Sequence, residues 1–319
     1  MNTFELPSFI TAESKYEDEH SARRLSRLAK SGALIRVRRG LYLPADVWSS
    51  LTPWHKYRVK IQSVHETAVG KPVFARESAA QIIGLPLIGT PKDVQTIVPR
   101  GRIGGQSSNG VHRLNGIDRD PKPWEMFGLL VTPPVQTARD MAVRLPLTKS
   151  LAAMDRLLQG KVFPGSPPQM NLTFTEQHVI DSVALLPNET QRGRVMRVLE
   201  AANGLSQSAG ESLSRAFMIL NGFPRPTLQV EFRDGRGRIG FPDFDWEEYK
   251  TLGEFDGYEK YSAQKYLKGK TPSEVVVEEK NRENRLRALG YNVVRWTWDD
   301  LKYPQRLIAL LHEAGLPSK

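Results

Sequence analysis

The spacing of apolar positions changes several times along the chain, and each change marks an element. From Ser21 to Lys30, Leu25, Leu28 and Ala29 fall at helical spacing, leaving Arg23, Arg24, Arg27 and Lys30 largely off that face. The pattern predicts an amphipathic basic helix that stops at Ser31-Gly32. The run "ALIRVRRGLYLPA" then sets Leu34, Arg36 and Arg38 against Ile35, Val37 and Arg39 and turns at Gly40 into Leu41-Tyr42-Leu43, a two-stranded basic hairpin. The preceding "ITAESKYEDEH" is acidic and weakly patterned, so an earlier helix is only poorly marked there.

From Trp54 to Leu158 the periods alternate. A helix is expected over Trp54 to Val69, a short strand at Val73-Phe74, and a small-residue helix in "ESAAQIIG" closed by Gly84. Strand-like runs follow at "DVQTIVP", "GVHRLN" and "GLLVTPP", with a helix at "QTARDMAVRL". This region reads as α+β without a catalytic constellation. "GRIGGQSSNG" lacks the Gly-Lys-Ser/Thr ending of a phosphate loop and opens no helix, so it reads as a hairpin loop. Arg100 and Arg102 remain phosphate-contact candidates there. The Pro- and Gly-rich "GKVFPGSPPQMN" marks a linker or surface loop. Helices follow at "TEQHVIDSVALL", "TQRGRVMRVLEAAN" and the stripe Leu213, Ala216, Phe217, Leu220, which ends at Gly222.

Beyond that helix the period becomes two. "TLQVEFRD" reads as a strand, "GRGRIG" as a turn, "FPDFDW" as the returning strand and "TLGEFDGY" as a third strand. "SEVVVEEKNRENRLRALG" reads as a helix carrying Glu278, Glu279, Lys280, Arg282 and Arg285, "YNVVRWTW" as a strand, and "YPQRLIALLHEAGL" as a closing amphipathic helix. Phosphodiester cleavage requires carboxylates from separate elements converging on a hard cation such as Mg²⁺. Asp243 and Glu254 are expected on adjacent strands. In a pleated strand Glu254 and Asp256 share a face, and Glu211 on the preceding helix is placed to complete the cluster. Asp245, Glu247 and Glu248 read as solvated turn residues.

Composition narrows the classes. The 319 residues carry 45 Lys and Arg against 35 Asp and Glu, a formal net charge of +10 that favours polyanionic partners. Cysteine is absent, which removes disulfides, thiolate catalysis and Cys-ligated zinc. The six His (20, 55, 65, 112, 178, 312) show no zinc-binding spacing and receive no role. No run approaches the roughly 18 apolar residues of a membrane span, and the N-terminus lacks a signal-like leader, so the expectation is a cytoplasmic protein without a membrane partner. Arginines clustered on both the first helix and its hairpin favour DNA contact by Arg23, Arg24, Arg27, Lys30, Arg36, Arg38 and Arg39 over a solvated basic face.

Two stretches resemble known families. "LAKSGALIRVRRGLYLPA", "ESAAQIIGLPLIG" and "VTPPVQTARDMAV" look like the AbiEi-type antitoxins of type IV toxin-antitoxin systems, which use a winged helix-turn-helix on promoter DNA. Glu211, "QVEF", "PDFDW", "GEFDGYEKY" and "EEKNRENRLRALGYNVVRWTWDDL" resemble the PD-(D/E)XK nucleases, in the branch similar to very-short-patch-repair endonucleases. The resemblances imply an α/β and α+β multidomain chain: a winged helix-turn-helix over 1–52, an antitoxin-like α+β domain over 53–165, linker and helices over 166–204, and a nuclease-like α/β domain over 205–319. They imply Asp243, Glu254 and Asp256 as ligands of Mg²⁺ or Mn²⁺, and Glu211 as an assisting carboxylate. Asp256 stands where many members place the catalytic lysine. Lys260, Lys265 and Lys280 are the candidates for a migrated lysine, with Lys260 foremost, and Gln229 is a candidate to position water. The expected function is a DNA-binding, Mg²⁺-dependent endonuclease in phage defence; the alternative is an antitoxin-like regulator with an inactive nuclease-like domain. A cognate toxin and a second copy of the chain are the further partner candidates.

Overall fold

The computed structural model describes residues 6–12, 21–98, 104–106, 109–116, 120–160, 173–257 and 271–318. The chain separates into two compact units, Met1–Arg144 with Lys161–Met196, and Leu145–Gly160 with Arg197–Lys319. Both mix helix and sheet, so the chain is a multidomain α and β protein.

In the first unit, α1 (Ser21–Lys30) leads into the antiparallel hairpin β1 (Leu34–Arg38) and β2 (Leu41–Pro44), followed by α2 (Ala45–Ser50) and α3 (Pro53–Thr67). Gly40, at φ +82, makes the turn that a side chain would resist. Leu43, Leu51 and Val59 form the core beneath the hairpin. Thr52 caps α3 by accepting the His55 N–H at 3.2 Å, and Pro53 supplies the preset first turn. Next come β3 (Val73–Phe74), α4 (Arg76–Ile83), β4 (Val94–Ile97), β5 (Gly105–Gln106), β6 (Val111–Leu114), β7 (Trp124–Met126), β8 (Leu129–Val131) and α5 (Pro134–Arg144). The strands form one mixed sheet in the order β5-β6-β4-β3-β8-β7. Tyr57, Ser78 and Gln95 share a buried hydroxyl and carboxamide network with separations of 2.8 to 3.1 Å, tying α3 and α4 to β4.

The second unit begins with α6 (Leu147–Leu158). The helices α7 (Glu176–Val183) and α8 (Glu189–Ala201) intervene in sequence before α9 (Ala209–Leu220). The sequence boundary at 165 assigned Leu145–Gly160 to the domain before it, whereas α6 clusters with the C-terminal unit because it packs on α9. At that contact the buried Asp155 carboxylate accepts from Arg215 at 2.7 Å and from the Asn203 N–H at 2.8 Å.

The strands of this unit depart from the simple hairpin expected. "TLQVEFRD" is two strands, β9 (Thr227–Leu228) and β10 (Phe232–Asp234), which belong to different sheets. Between them Gln229 takes φ +55, a left-handed conformation that a continuous strand cannot hold. "GRGRIG" is likewise more than a turn, since β11 (Gly237–Gly240) pairs back on β10. β12 (Phe244–Trp246) and β13 (Thr251–Asp256) follow, then α10 (Pro272–Ala288), β14 (Asn292–Thr297), α11 (Trp298–Lys302) and α12 (Pro304–Glu313). The main sheet runs β14-β13-β12-β9, with β13 and β14 parallel and the other pairs antiparallel. Asp245 was expected in a solvated turn. It lies instead within β12, 7% exposed, with Oδ1 unpartnered and its carboxyl pushed up by burial and by Glu247. Glu247 and Glu248 are exposed.

The two faces of β13 bury different material. Leu252 joins Phe232, Ile239, Leu286 and Val293 in one core. On the other face Gly253 lies against Trp296 and Trp246, and Phe255 lies against Gly210 of α9. Trp296 Nε1 donates to Ser214 Oγ at 2.7 Å and so fixes α9 to that face. Among the described residues, no helix is long and apolar enough to cross a membrane.

Candidate functional site

Sheet register gathers the C-terminal candidates into a line. Glu254 on β13 stands beside Arg295 on β14. The pairs Phe244 with Gly253 and Phe244 with Leu228, each continued by one residue, set Asp243 opposite Glu254 and Gln229 opposite Asp243. Glu254 of β13 and Arg295 of β14 thus form a transverse row of polar residues with Asp243 and Gln229, which lie in bends just outside β12 and β9 and not within strands as expected for Asp243. Asp243 is anchored in that row because its Oδ2 accepts the Phe255 N–H at 2.9 Å.

Glu254 is the buried centre. Its side chain is 3% exposed, one oxygen accepting from Arg282 on α10 and the other from Arg295. Glu279 on α10 accepts from both guanidiniums. Asp256 lies 3.5 Å and Glu283 3.7 Å from Arg295. Four carboxylates therefore surround two arginines. Burial pushes the Glu254 carboxyl up, against the pull of Arg282 and Arg295. Burial also acts upward on Glu279, but its bonds to Arg282 and the charges of both arginines outweigh it and hold that carboxyl at about 2. Arg282 and Arg295, surrounded by acids, are held above the ordinary arginine value despite their burial.

Glu254 and Asp256 share the face turned toward α10, as strand alternation required. Glu211 sits in the first turn of α9, the helix packed on the opposite face, and its Oε2 accepts the Gln207 N–H at 2.7 Å. Gln207 Nε2 in turn donates to Gln229 Oε1 at 2.9 Å, so a polar chain runs from Glu211 to the row. Gln229 Nε2 is buried without a partner. Lys260 and Lys265 lie outside the described residues, and Lys280 is exposed on α10. Among the described residues, the cations beside these acids are Arg282 and Arg295. Sequence reading placed Arg282 on the helix without a site role and gave Arg295 none.

The residues offer only oxygen donors, which suits Mg²⁺, an ion that commonly takes one or two carboxylates and completes its shell with water and phosphate. Asp243 and Glu254 are donors of that type, but both oxygens of the buried Glu254 accept from Arg282 and Arg295, so the pair is not an open two-carboxylate site here. Among the described residues no group of three His, Cys, Asp or Glu could hold a metal.

In the first unit, Arg23, Arg24, Arg27 and Lys30 are exposed on α1, while Leu25, Leu28 and Ala29 are half-buried. Arg36 and Arg39 are exposed on and beside β1. Arg38 is half-buried and donates to the Asn109 carbonyl at 3.2 Å; burial, with Arg113 nearby, pulls it below the ordinary arginine value. Arg100 and Arg102 lie outside the described residues.

No family model matches the chain. Two Mycobacterium tuberculosis proteins, the uncharacterized proteins MT2308 of strain CDC 1551 and Rv2248 of strain H37Rv, are each 28% identical to it over 188 residues. The match covers 57% of this chain and about 60% of the length of those relatives. Among solved structures, the RV2827C protein of M. tuberculosis superposes with a TM-score of 0.38 at 14% identity, over 72% of this chain and 84% of that one.

Proposed function

We propose that this is a DNA-binding protein whose N-terminal winged helix-turn-helix holds duplex DNA and whose C-terminal PD-(D/E)XK-like unit cleaves DNA phosphodiester bonds with Mg²⁺ or Mn²⁺. The observation that carries the reading is the transverse row, which places Asp243 beside Glu254 with two arginines on the same acid cluster. Asp243 and Glu254, the latter releasing one of its guanidiniums, would hold the cation, which when bound would supply water activation and charge neutralisation at the phosphate.

The chain's own residues do the rest. The Phe255 N–H fixes the Asp243 carboxylate. Arg282 and Arg295 favour the ionised form of Glu254 against its burial. Arg295 also provides the positive charge that Asp256 cannot, next to the position where a catalytic lysine is usual, and positive charge there stabilises a crowded, more negative phosphorus centre. The antitoxin-like resemblance of the N-terminal region points to a role in phage defence.

One observation favours a second reading. Both oxygens of Glu254 are engaged by guanidiniums, which suits a nuclease-like unit kept as an interaction module beside a DNA-binding, antitoxin-like regulator with a cognate toxin. Plasmid nicking in Mg²⁺ or Mn²⁺, run with Asp243→Asn and Glu254→Gln variants that retain side-chain volume, separates the two. Metal-dependent nicking lost in both variants supports the endonuclease. Absence of nicking by any of the proteins, with tight binding to a promoter duplex, supports the regulator.

A further inference from the structure

Chemistry beyond the acid cluster lies on the separate two-stranded sheet of this unit. The β10–β11 hairpin, whose second strand the sequence reads as a turn, presents Arg236 and Arg238 to solvent, and just beyond it Phe241 is 46% exposed. Phe241, two residues before Asp243, thus keeps nearly half of its surface in solvent. Arg238 lies over its ring, 5.9 Å from the centroid, which holds the ring beside a cation. Arg233, the hairpin's other exposed arginine, is already paired with Glu231 at 3.1 Å.

The hairpin is a fixed element and not a loose loop. Arg285 on α10 clamps it through both Asp234 oxygens, at 2.6 and 2.8 Å, and through the Gly237 carbonyl at 3.0 Å. Its end also lies against the acid cluster. Carbon and nitrogen atoms of Arg282, the residue that holds Glu254, lie 3.5 Å from where a Cβ on Gly240 would sit. The ring and the two cations thus lie on and beside a hairpin whose end borders Arg282, the residue that holds the buried Glu254.

We propose that this surface binds an unpaired strand of DNA, one base stacking on Phe241 while Arg236 and Arg238 contact the flanking phosphates. Bases in a duplex are stacked on each other and do not offer a face to a surface ring, whereas every unpaired base does. The DNA that this surface takes therefore has a single-stranded segment: a flap, a bubble or a displaced strand. The inference rests on the DNA-binding reading above but not on cleavage.

The test is fluorescence anisotropy of the full chain, with metal chelated, against a labelled single strand and its matching duplex. Phe241→Ala is expected to weaken single-strand binding about tenfold and to leave duplex binding within about twofold. Phe241→Trp is expected to restore it. Arg236→Ala with Arg238→Ala should reduce the single-strand log-log salt slope by about 1.4. The same substitutions placed on Arg36→Ala/Arg39→Ala keep the two basic surfaces apart. Wild-type protein that binds DNA while Phe241→Ala matches it on the single strand, or loses strand and duplex equally, overturns the proposal. Failure of the wild type to bind either DNA overturns the DNA-binding reading with it.

Discussion

At the scale of single residues, the acid cluster sets opposing demands on pH. The Glu279 value of about 2 lies below the ordinary 4.5, so the stability this residue contributes is fully present above that ordinary value and is lost as pH falls toward 2. Glu254 has the opposite sign. Burial raises it, so its contribution is held below the ordinary value and shrinks as pH rises through the raised one. Urea midpoints measured between about pH 5 and pH 2.5 should therefore fall less steeply for Glu279→Gln than for the wild type. Equal slopes would mean that Glu279 is not ionised against the arginines. Removing Arg295 is a different perturbation, because it leaves a nearly buried Glu254 with Arg282 alone. Arg295→Met is expected to cost about 3 kcal/mol in chemical denaturation, whereas substitution of the exposed Lys280 should cost almost nothing.

At the scale of elements, close backbone approach decides how the helices meet the sheet. α9 crosses β13 at Gly210, where a Cβ would overlap the Phe255 ring, and a Cβ on Gly253 would come within 2.6 Å of Trp296. Gly210→Ala should destabilise the C-terminal unit by about 1 to 3 kcal/mol through overpacking, read as a lowered urea midpoint. An unchanged midpoint would show that the ring can move aside. Elements bounded by local signals were legible in the sequence: β3 lies at Val73–Phe74 as read, and α4 ends where Gly84 takes φ +84. α6 was not, because Ser150 to Asp155 and Leu157 are all buried and no single apolar stripe stands out. The acids of the candidate site announced themselves through "PDF" and "EFDG". Their arginine partners did not, since Glu254 and Arg295 meet through a parallel register that no spacing rule connects.

At the scale of the whole molecule, a formal charge of +10 makes nucleic-acid affinity a function of salt. The exposed hairpin arginines should account for part of that dependence. Arg36→Ala with Arg39→Ala is expected to reduce the log-log salt slope for duplex DNA by about two, while Arg38→Ala, whose guanidinium is committed to Asn109, should change the slope little. Equal losses from all three would place Arg38 on the DNA as well. The parallel pairing of β13 with β14 has a further consequence, for the order in which the molecule is made. β14 closes onto β13 only after the intervening 257–291 has been synthesised, so an emerging chain carries an unpaired β13 edge and a Glu254 without Arg295. The C-terminal unit is therefore expected to acquire its cluster late on the ribosome, and chains stalled before Asn292 should be the aggregation-prone ones.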